Sequence, residues 1–284
     1  MAEPGEPLSE IVRRALAEDL GAGDVTSEAT VPAQARARAR LVQKAPGVAF
    51  GFDAVEETMR QCGVQHVDRL VVEGQWRQEV PAEALLASGP ARALLAAERT
   101  ALNFLGRLSG IATLTARFAE AVEGTGARIL DTRKTTPGLR HLEKAAVAAG
   151  GGVNHRVGLY DAILIKENHI ALAGGVAKAV YAARRAQPEL PIEIECGDLE
   201  EVAYALGVGA ERLLLDNMDA ETLRRAVRLR DEQAGAGGPT LEASGGVELE
   251  TVRAIAETGV DFVSVGALTH SAPTLDFSLL LEQA

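Results

Sequence analysis

The sequence predicts an α/β protein in two parts. An antiparallel sheet with helices comes first, followed by a parallel-stranded β/α unit that closes, wholly or partly, as a barrel. Three observations carry this. Between residues 35 and 95, short runs, many alternating apolar with polar, are broken by Gly and Pro, as in half-buried strands. From residue 127 onward six apolar runs recur, their starts roughly 20 to 34 residues apart, with helical patterns between most of them. Between the two regions Leu102, Leu105, Leu108, Ile111, Leu114 and Phe118 recur every three or four positions, so one long helix covers about 95–122.

Taken in order, LSEIVRRALAEDL (8–20) places Leu8, Ile11, Val12, Leu16 and Leu20 on one helical stripe, with Ser9 as N-cap and Gly21 as stop. ARARARLVQKAPGVAFGF (35–52), HVDRLVVEGQWRQ (66–78) and EALLASGPARALL (83–95) read as strands, with DAVEETMRQCG (53–63) as a helix among them. Arg36, Arg38 and Arg40 alternate with Ala and so share one strand face, which is read as solvated. The six later runs are ARILDT (127–132), DAILIK (161–166), PIEIEC (191–196), ERLLLD (211–216), TLEAS (240–244) and DFVSVG (261–266). Continuous apolar strands joined by helices imply a parallel sheet covered by those helices. A barrel is favoured over an open dinucleotide-binding sheet because no Gly-x-Gly-x-x-Gly follows the first of these strands.

Composition narrows the function classes. The 284 residues are 47% apolar and 24% charged, with formal net charge -11, which argues against general affinity for nucleic acid. Cys62 and Cys196 are far apart and no CxxC exists, so a structural zinc site is not expected and a reducing compartment is. The first thirty residues lack the apolar core of a signal peptide, and no apolar run approaches the ~20 residues that span a bilayer. A cytoplasmic protein is expected.

In a β/α barrel chemistry gathers at the C-terminal ends of the strands. Those ends are polar in succession: Arg133-Lys134, Lys166-Glu167-Asn168-His169, Glu195, Asp216-Asn217, Ser244-Gly245-Gly246, and Gly266 with His270 beyond. Arg133, Lys134, His155, Arg156 and Lys166 suit a polyanion, the arginines a planar carboxylate. Glu195 and Asp216 suit Mg²⁺, sugar hydroxyls or developing positive charge, or else balance the nearby cations. Ser244-Gly245-Gly246, ahead of the helical pattern ELETVRAIAETG, suits a phosphate at a helix N-terminus. These residues describe a ligand with a phosphate at one end and carboxylates at the other, such as a phosphorylated sugar meeting a diacid.

ERTALNFLGRLSGIATLT (98–115), DTRKTTPGLR (131–140), GGGVNHRVGLYDAILIKENH (150–169), EIEC (193–196), LLLDNM (213–218), EASGG (242–246) and VSVGALTHS (263–271) resemble the quinolinate phosphoribosyltransferase family. The likeness runs from EDLGAGDVTS (18–27) nearly to the C-terminus. It implies an N-terminal α/β sandwich, residues 1–115 joined by 271–284, and an open, incomplete α/β barrel, 116–270. It also implies a homodimer whose sites are completed across the interface, Mg²⁺, and conversion of quinolinate and phosphoribosyl pyrophosphate to nicotinate mononucleotide, pyrophosphate and CO2. By motif, Arg133, His155, Arg156 and Lys166 resemble the quinolinate pocket, and Arg99 an arginine given to the partner subunit. Lys134, Glu195 and Asp216 resemble the phosphoribosyl pyrophosphate and Mg²⁺ groups, with Lys134, Lys166, Glu195 and Asp216 the expected catalytic set. Ser244, Gly245 and Gly266, with His270 nearby, resemble the phosphate cradle. Three other readings of the residues stay open: a Schiff-base lyase using Lys166, a non-catalytic phosphate-ligand binder, and a relative acting on another nitrogenous acid.

Overall fold

The computed structural model describes residues 6–284. Helix α1 (Leu8–Leu20) buries Ile11, Val12 and Leu16, the core of the expected stripe. Its cap is Pro7 rather than Ser9: the Pro7 carbonyl accepts the Glu10 and Ile11 N–H groups at 2.9 and 3.2 Å, so the first turn starts earlier. Helix α2 (Val25–Thr30) starts at Asp24, whose carboxylate accepts the Ser27 N–H at 2.9 Å. Strand β1 (Arg36–Gln43) alternates outward and inward; Arg36 and Arg38 are exposed, and Arg40 pairs with Glu83 and Glu282. Strand β2 (Gly47–Val48), helix α3 (Phe52–Gln61), strand β3 (His66–Arg69), strand β4 (Trp76–Arg77) and strand β5 (Ala82–Pro90) follow. The 66–78 run is therefore two strands, not one. Gly74, at φ 81°, turns the chain where an added Cβ would lie 3.2 Å from the Ala149 carbonyl oxygen.

Helix α4 (Ala91–Ala121) begins directly after Pro90, so Ala91–Leu95 are helical rather than a continuation of the strand. Its 31 residues serve two cores. Leu94, Ala97, Ala101 and Leu105 pack with the antiparallel sheet, and Leu108, Ile111 and Phe118 pack with the parallel one. Gly106 and Gly110 let the returning chain lie against this helix; a Cβ at Gly110 would sit 2.0 Å from the Pro273 oxygen.

The second part runs β6 (Arg128–Leu130), α5 (Arg140–Ala149), β7 (Ile163–Ile165), α6 (Glu167–Ala173), α7 (Val176–Ala186), β8 (Ile192–Cys196), α8 (Leu199–Gly207), β9 (Arg212–Asp216), α9 (Ala220–Ala234), β10 (Thr240–Ser244), α10 (Val252–Ala256), β11 (Phe262–Ser264) and α11 (Ala267–His270). Last comes β12 (Phe277–Gln283), antiparallel to β1, which gives the first sheet the order β12-β1-β5-β3. The six strands β6 to β11 form one parallel sheet in the order β6-β11-β10-β9-β8-β7. β6 and β7 are consecutive in sequence but stand at opposite edges and do not pair, so the barrel is open between them. Val153 bridges Leu130 there, which lays residues 152–157 into the seam. Glu193 on β8 and Glu242 on β10, with β9 between them, both reach His155 of that seam. The sheet thus curls on itself. Among the described residues no helix is long and apolar enough to cross a membrane.

Candidate active site

The inward positions of parallel strands repeat every second residue, so a polar strand end stacks above the side chain two residues before it. Lys166 follows Leu164, Glu195 follows Glu193, Asp216 follows Leu214, and Ser244 follows Glu242. A cavity of about 370 Å³ opens where these chains end, at the C-terminal mouth of the barrel. It is lined by Arg133, Lys134, His155, Arg156, Lys166, Glu195, Asp216 and Ser244, eight of the residues expected from sequence. Thr132, Leu164, Leu214, Glu242 and Ser264 complete the wall and were not expected. For Leu164, Leu214, Glu242 and Ser264 the signal was the strand period itself, since each lies one pleat below a residue that was singled out; Thr132 lies beyond β6, next to Arg133.

Four expected residues stand outside that lining. Gly266 is adjacent: an added Cβ would meet His270 Nε2 at 3.1 Å and Lys134 Cδ at 3.2 Å. His270 is exposed, its Nδ1 2.6 Å from Ser271 Oγ. Gly245, at φ 100°, admits the Asn217 side chain, whose Oδ1 would lie 2.1 Å from an added Cβ. Arg99 is exposed on α4 and does not line the cavity of its own chain. The helix expected to aim its N-terminus at Ser244-Gly245-Gly246 is corrected. α10 spans only five residues and starts at Val252, six residues past Gly246, because residues 247–251 turn before helical pairing begins. Any phosphate contact there rests on loop N–H groups, without a helix dipole.

The cationic side is built on buried ion pairs. Lys144 on α5 and Asp131, just after β6, are both buried and joined at 2.5 Å. Burial raises the Asp131 pKa and lowers that of Lys144, each opposed by the partner's charge. The pair pins the seam: Asp131 accepts the His155 N–H at 2.8 Å, Lys144 donates to the His155 carbonyl at 3.0 Å, and the Asn154 amide, oriented by its surroundings, donates to Asp131 at 2.7 Å. Asp161 accepts the N–H groups of Val157 and Gly158 at 2.6 and 2.9 Å, and Arg156 donates to the Ala162 carbonyl at 3.2 Å. Burial, then the nearby Arg133 charge, lowers the Arg156 pKa. Arg133 has a buried Nε–H with no partner among the described residues. An orphaned buried donor is costly, and other atoms of the same side chain line the cavity.

A second network fixes the loop carrying Lys134. Glu143 on α5 is fully buried and accepts from the Arg107 guanidinium at 2.9 Å, the Thr136 N–H at 3.1 Å and the Thr136 hydroxyl at 2.7 Å. Arg107 also donates to the Thr269 carbonyl, and the Thr269 hydroxyl donates to the Lys134 carbonyl at 2.8 Å. Helix α4, the β6 loop and α11 are thereby tied at one point. None of Arg107, Glu143 or Thr269 was singled out from sequence, since a lone charge in a helical pattern reads as surface.

On the acidic side Glu195 pairs with Lys166, and Asp216 accepts from the Asn217 amide at 2.8 Å. Asn217 is the one non-glycine residue at positive φ, 54°, among those described. Glu195 and Asp216 end adjacent strands on the same face, with Glu195 level with Leu214. Two carboxylates beside a cationic cavity fit Mg²⁺, which takes one or two carboxylates and otherwise water and phosphate.

Below the cavity His155 Nε2 lies 2.9 Å from Glu193 and 3.4 Å from Glu242. Burial alone would lower the histidine pKa, but hydrogen bonds to the two carboxylates and their charges raise it to about 9. In the neutral ring Nδ1 accepts the Arg156 N–H at 2.7 Å, a bond that protonation gives up. What His155 offers the cavity in this geometry is ring face, not a free nitrogen.

The model "Quinolinate phosphoribosyl transferase, C-terminal domain" matches residues 111–280, and the corresponding N-terminal domain model matches 24–109. The chain is 46% identical to the nicotinate-nucleotide pyrophosphorylase [carboxylating] of Mycobacterium leprae, covering 94% of this chain and 95% of that one. It is 39% identical to a probable enzyme of the same name from Bacillus subtilis, covering 96% and 92%. The solved structure of the nicotinate-nucleotide pyrophosphorylase from Francisella tularensis superposes with TM-score 0.91 at 38% identity, covering 97% of this chain and 96% of that one. The chain belongs to the quinolinate phosphoribosyltransferase family.

Proposed function

We propose that this chain transfers the phosphoribosyl group of phosphoribosyl pyrophosphate to quinolinate, with loss of CO2, giving nicotinate mononucleotide and pyrophosphate for NAD biosynthesis. The observation that carries the reading is the single cavity lined by eight of the expected residues, cationic on the seam side and acidic across from it. Arg133, Arg156 and Lys166 take the two adjacent carboxylates of the diacid and hold its ring in register. The ring nitrogen then attacks the anomeric carbon. The N–C bond forms, the C–O bond to pyrophosphate breaks, and its electron pair leaves with pyrophosphate. Lys134 faces that charge, while Glu195 and Asp216 stabilise positive character on the sugar. Mg²⁺, when bound, would neutralise pyrophosphate charge, with Glu195 and Asp216 the residues to hold it. The quaternised ring next acts as an electron sink. The carboxylate beside nitrogen departs as CO2, and the ring carbon takes a proton. Lys166, in the cavity and beside Glu195, is placed to give that proton. His155 is not, with Nε2 turned to carboxylates below and Nδ1 facing the Arg156 N–H.

The same reading makes residues 1–115 with 271–284 one unit and 116–270 the other, and makes the working form a homodimer in the cytoplasm. Exposed apolar side chains on segments that follow cavity-lining residues in sequence support a cover: Leu159 and Tyr160 come after Arg156, and Leu172, 90% exposed, comes after Lys166 on α6. Two free cysteines suit a reducing compartment. A Schiff-base role for Lys166 is disfavoured, since an ammonium held by Glu195 is a poor nucleophile. Incubation with quinolinate, phosphoribosyl pyrophosphate and Mg²⁺ should yield nicotinate mononucleotide and CO2 in equal amounts. Absence of both would overturn the reading, and equal turnover of nicotinate would overturn its substrate.

A further inference from the structure

We propose that Glu193 and Glu242 are positioning residues for the diacid end of the site. Acting through His155, Glu193 from below the cavity and Glu242 from its wall, they hold the imidazole edge down so that its face forms the wall against the ligand. The inference rests on the reaction proposed above and adds to it two acids that were not among the residues expected from sequence, of which Glu242 also lines the cavity.

Four observations converge. Both carboxylates are buried, Glu193 5% and Glu242 1% exposed, and both point at the same ring nitrogen from strands that are not neighbours. The arrangement is poor for folding alone. Two carboxylates share a buried layer, burial raises the Glu193 pKa, and Glu193 Oε1 has no partner among the described residues; His155, the Ser264 hydroxyl and Arg212 of β9, 3.4 Å from Glu242, offset them. Apolar side chains of similar volume would pack there at less cost. The layer is also rigid on both sides. Arg212 stacks on Phe262 at 4.5 Å, with Arg128 over the same ring at 4.9 Å. The His155 backbone is held by Asp131 and Lys144. With the backbone fixed and Nε2 held, the ring has one orientation. The wall it forms adjoins Arg156, which lines the cavity with it.

The test uses Glu193→Gln and Glu242→Gln, which keep volume and remove charge. Steady-state kinetics in each variant should show the quinolinate KM rising on the order of tenfold or more, with the phosphoribosyl pyrophosphate KM within about threefold. Independently of any substrate, the His155 titration, followed by NMR on histidine-labelled protein and assigned with His155→Gln, should move down in both variants toward the ordinary histidine range. That arm stands even if the reaction is assigned wrongly. Should Glu242→Gln fail to fold, Glu193→Gln carries the test. An unchanged His155 titration overturns the proposal. So does a parallel rise in both KM values with a lowered melting temperature, which would mark the acids as merely structural. Loss of the His155 titration on adding one equivalent of Zn²⁺ at neutral pH overturns it too, because the three ligand atoms lie within 4.8 Å of one another and would then be a metal site.

Discussion

Arg133 and Lys134 are adjacent in sequence but are held by different machinery. Arg133 enters the cavity beside the seam, with a buried donor unpartnered, whereas the Lys134 carbonyl is held by Thr269 and its stem runs past Gly266. Truncating Arg133 to Ala removes a charge-assisted contact while leaving the fold, so kcat/KM for quinolinate should fall by about 2–4 kcal/mol equivalent, mostly through KM. Near-normal kinetics in that variant would remove Arg133 from the diacid pocket. His155 makes a second prediction at this scale. A folded-state pKa of about 9, above the ordinary 6.5, gives a stabilisation present in full below pH 6.5 and lost as pH rises through 9. Unfolding by urea should therefore become easier between pH 7 and 9.5, by up to roughly 3 kcal/mol, and His155→Gln should flatten the slope. A slope unchanged by that substitution would place the pH dependence elsewhere.

Among the elements, what the sequence made legible was whatever repeats. Six apolar runs became six parallel strands, and their polar ends converge on one cavity because strand ends in a parallel barrel face one way. The open seam was not legible, since nothing in 150–158 marks the chain as bridging Leu130 by one residue. The helix start after β10 was misplaced, because an apolar period at 248–259 cannot say where hydrogen bonding begins. The tie among α4, α5 and α11 was hidden for a similar reason: Arg107 and Glu143 are 36 residues apart and meet only in three dimensions. Removing one partner strands a buried charge, so Arg107→Ala should destabilise the protein by about 3–5 kcal/mol. Arg107→Ala with Glu143→Ala should cost less than the sum of the two single changes, as a double-mutant cycle in urea reads directly. Additive losses would mean that the two side chains do not act as a unit.

At the scale of the whole molecule, Arg99 is the residue that bears on assembly. It stands exposed on α4, eight residues before the Arg107 tie, and lies outside the cavity of its own chain. An exposed arginine on a helix is ordinarily a solvated charge. Two features argue for a partner: the family motif it sits in, and the exposed Leu159, Tyr160 and Leu172, which follow the lining residues Arg156 and Lys166 in sequence. If each site takes its Arg99 from the other chain, the defects of Arg99→Ala and Lys166→Ala fall on different sites in a mixed dimer. The barrel of the Arg99→Ala chain keeps Lys166 and receives an intact Arg99. The other barrel loses both. Random pairing of equal amounts makes half the dimers mixed, each with one good site, so the mixture should recover about a quarter of wild-type activity from two inactive parents. If Arg99 served its own chain, every site in the mixture would lack one residue and activity would stay at the parental level. If Arg99 were a solvated charge, the Arg99→Ala parent would itself be active before any mixing. The three outcomes are separable in one assay, and only the first supports a site shared between subunits.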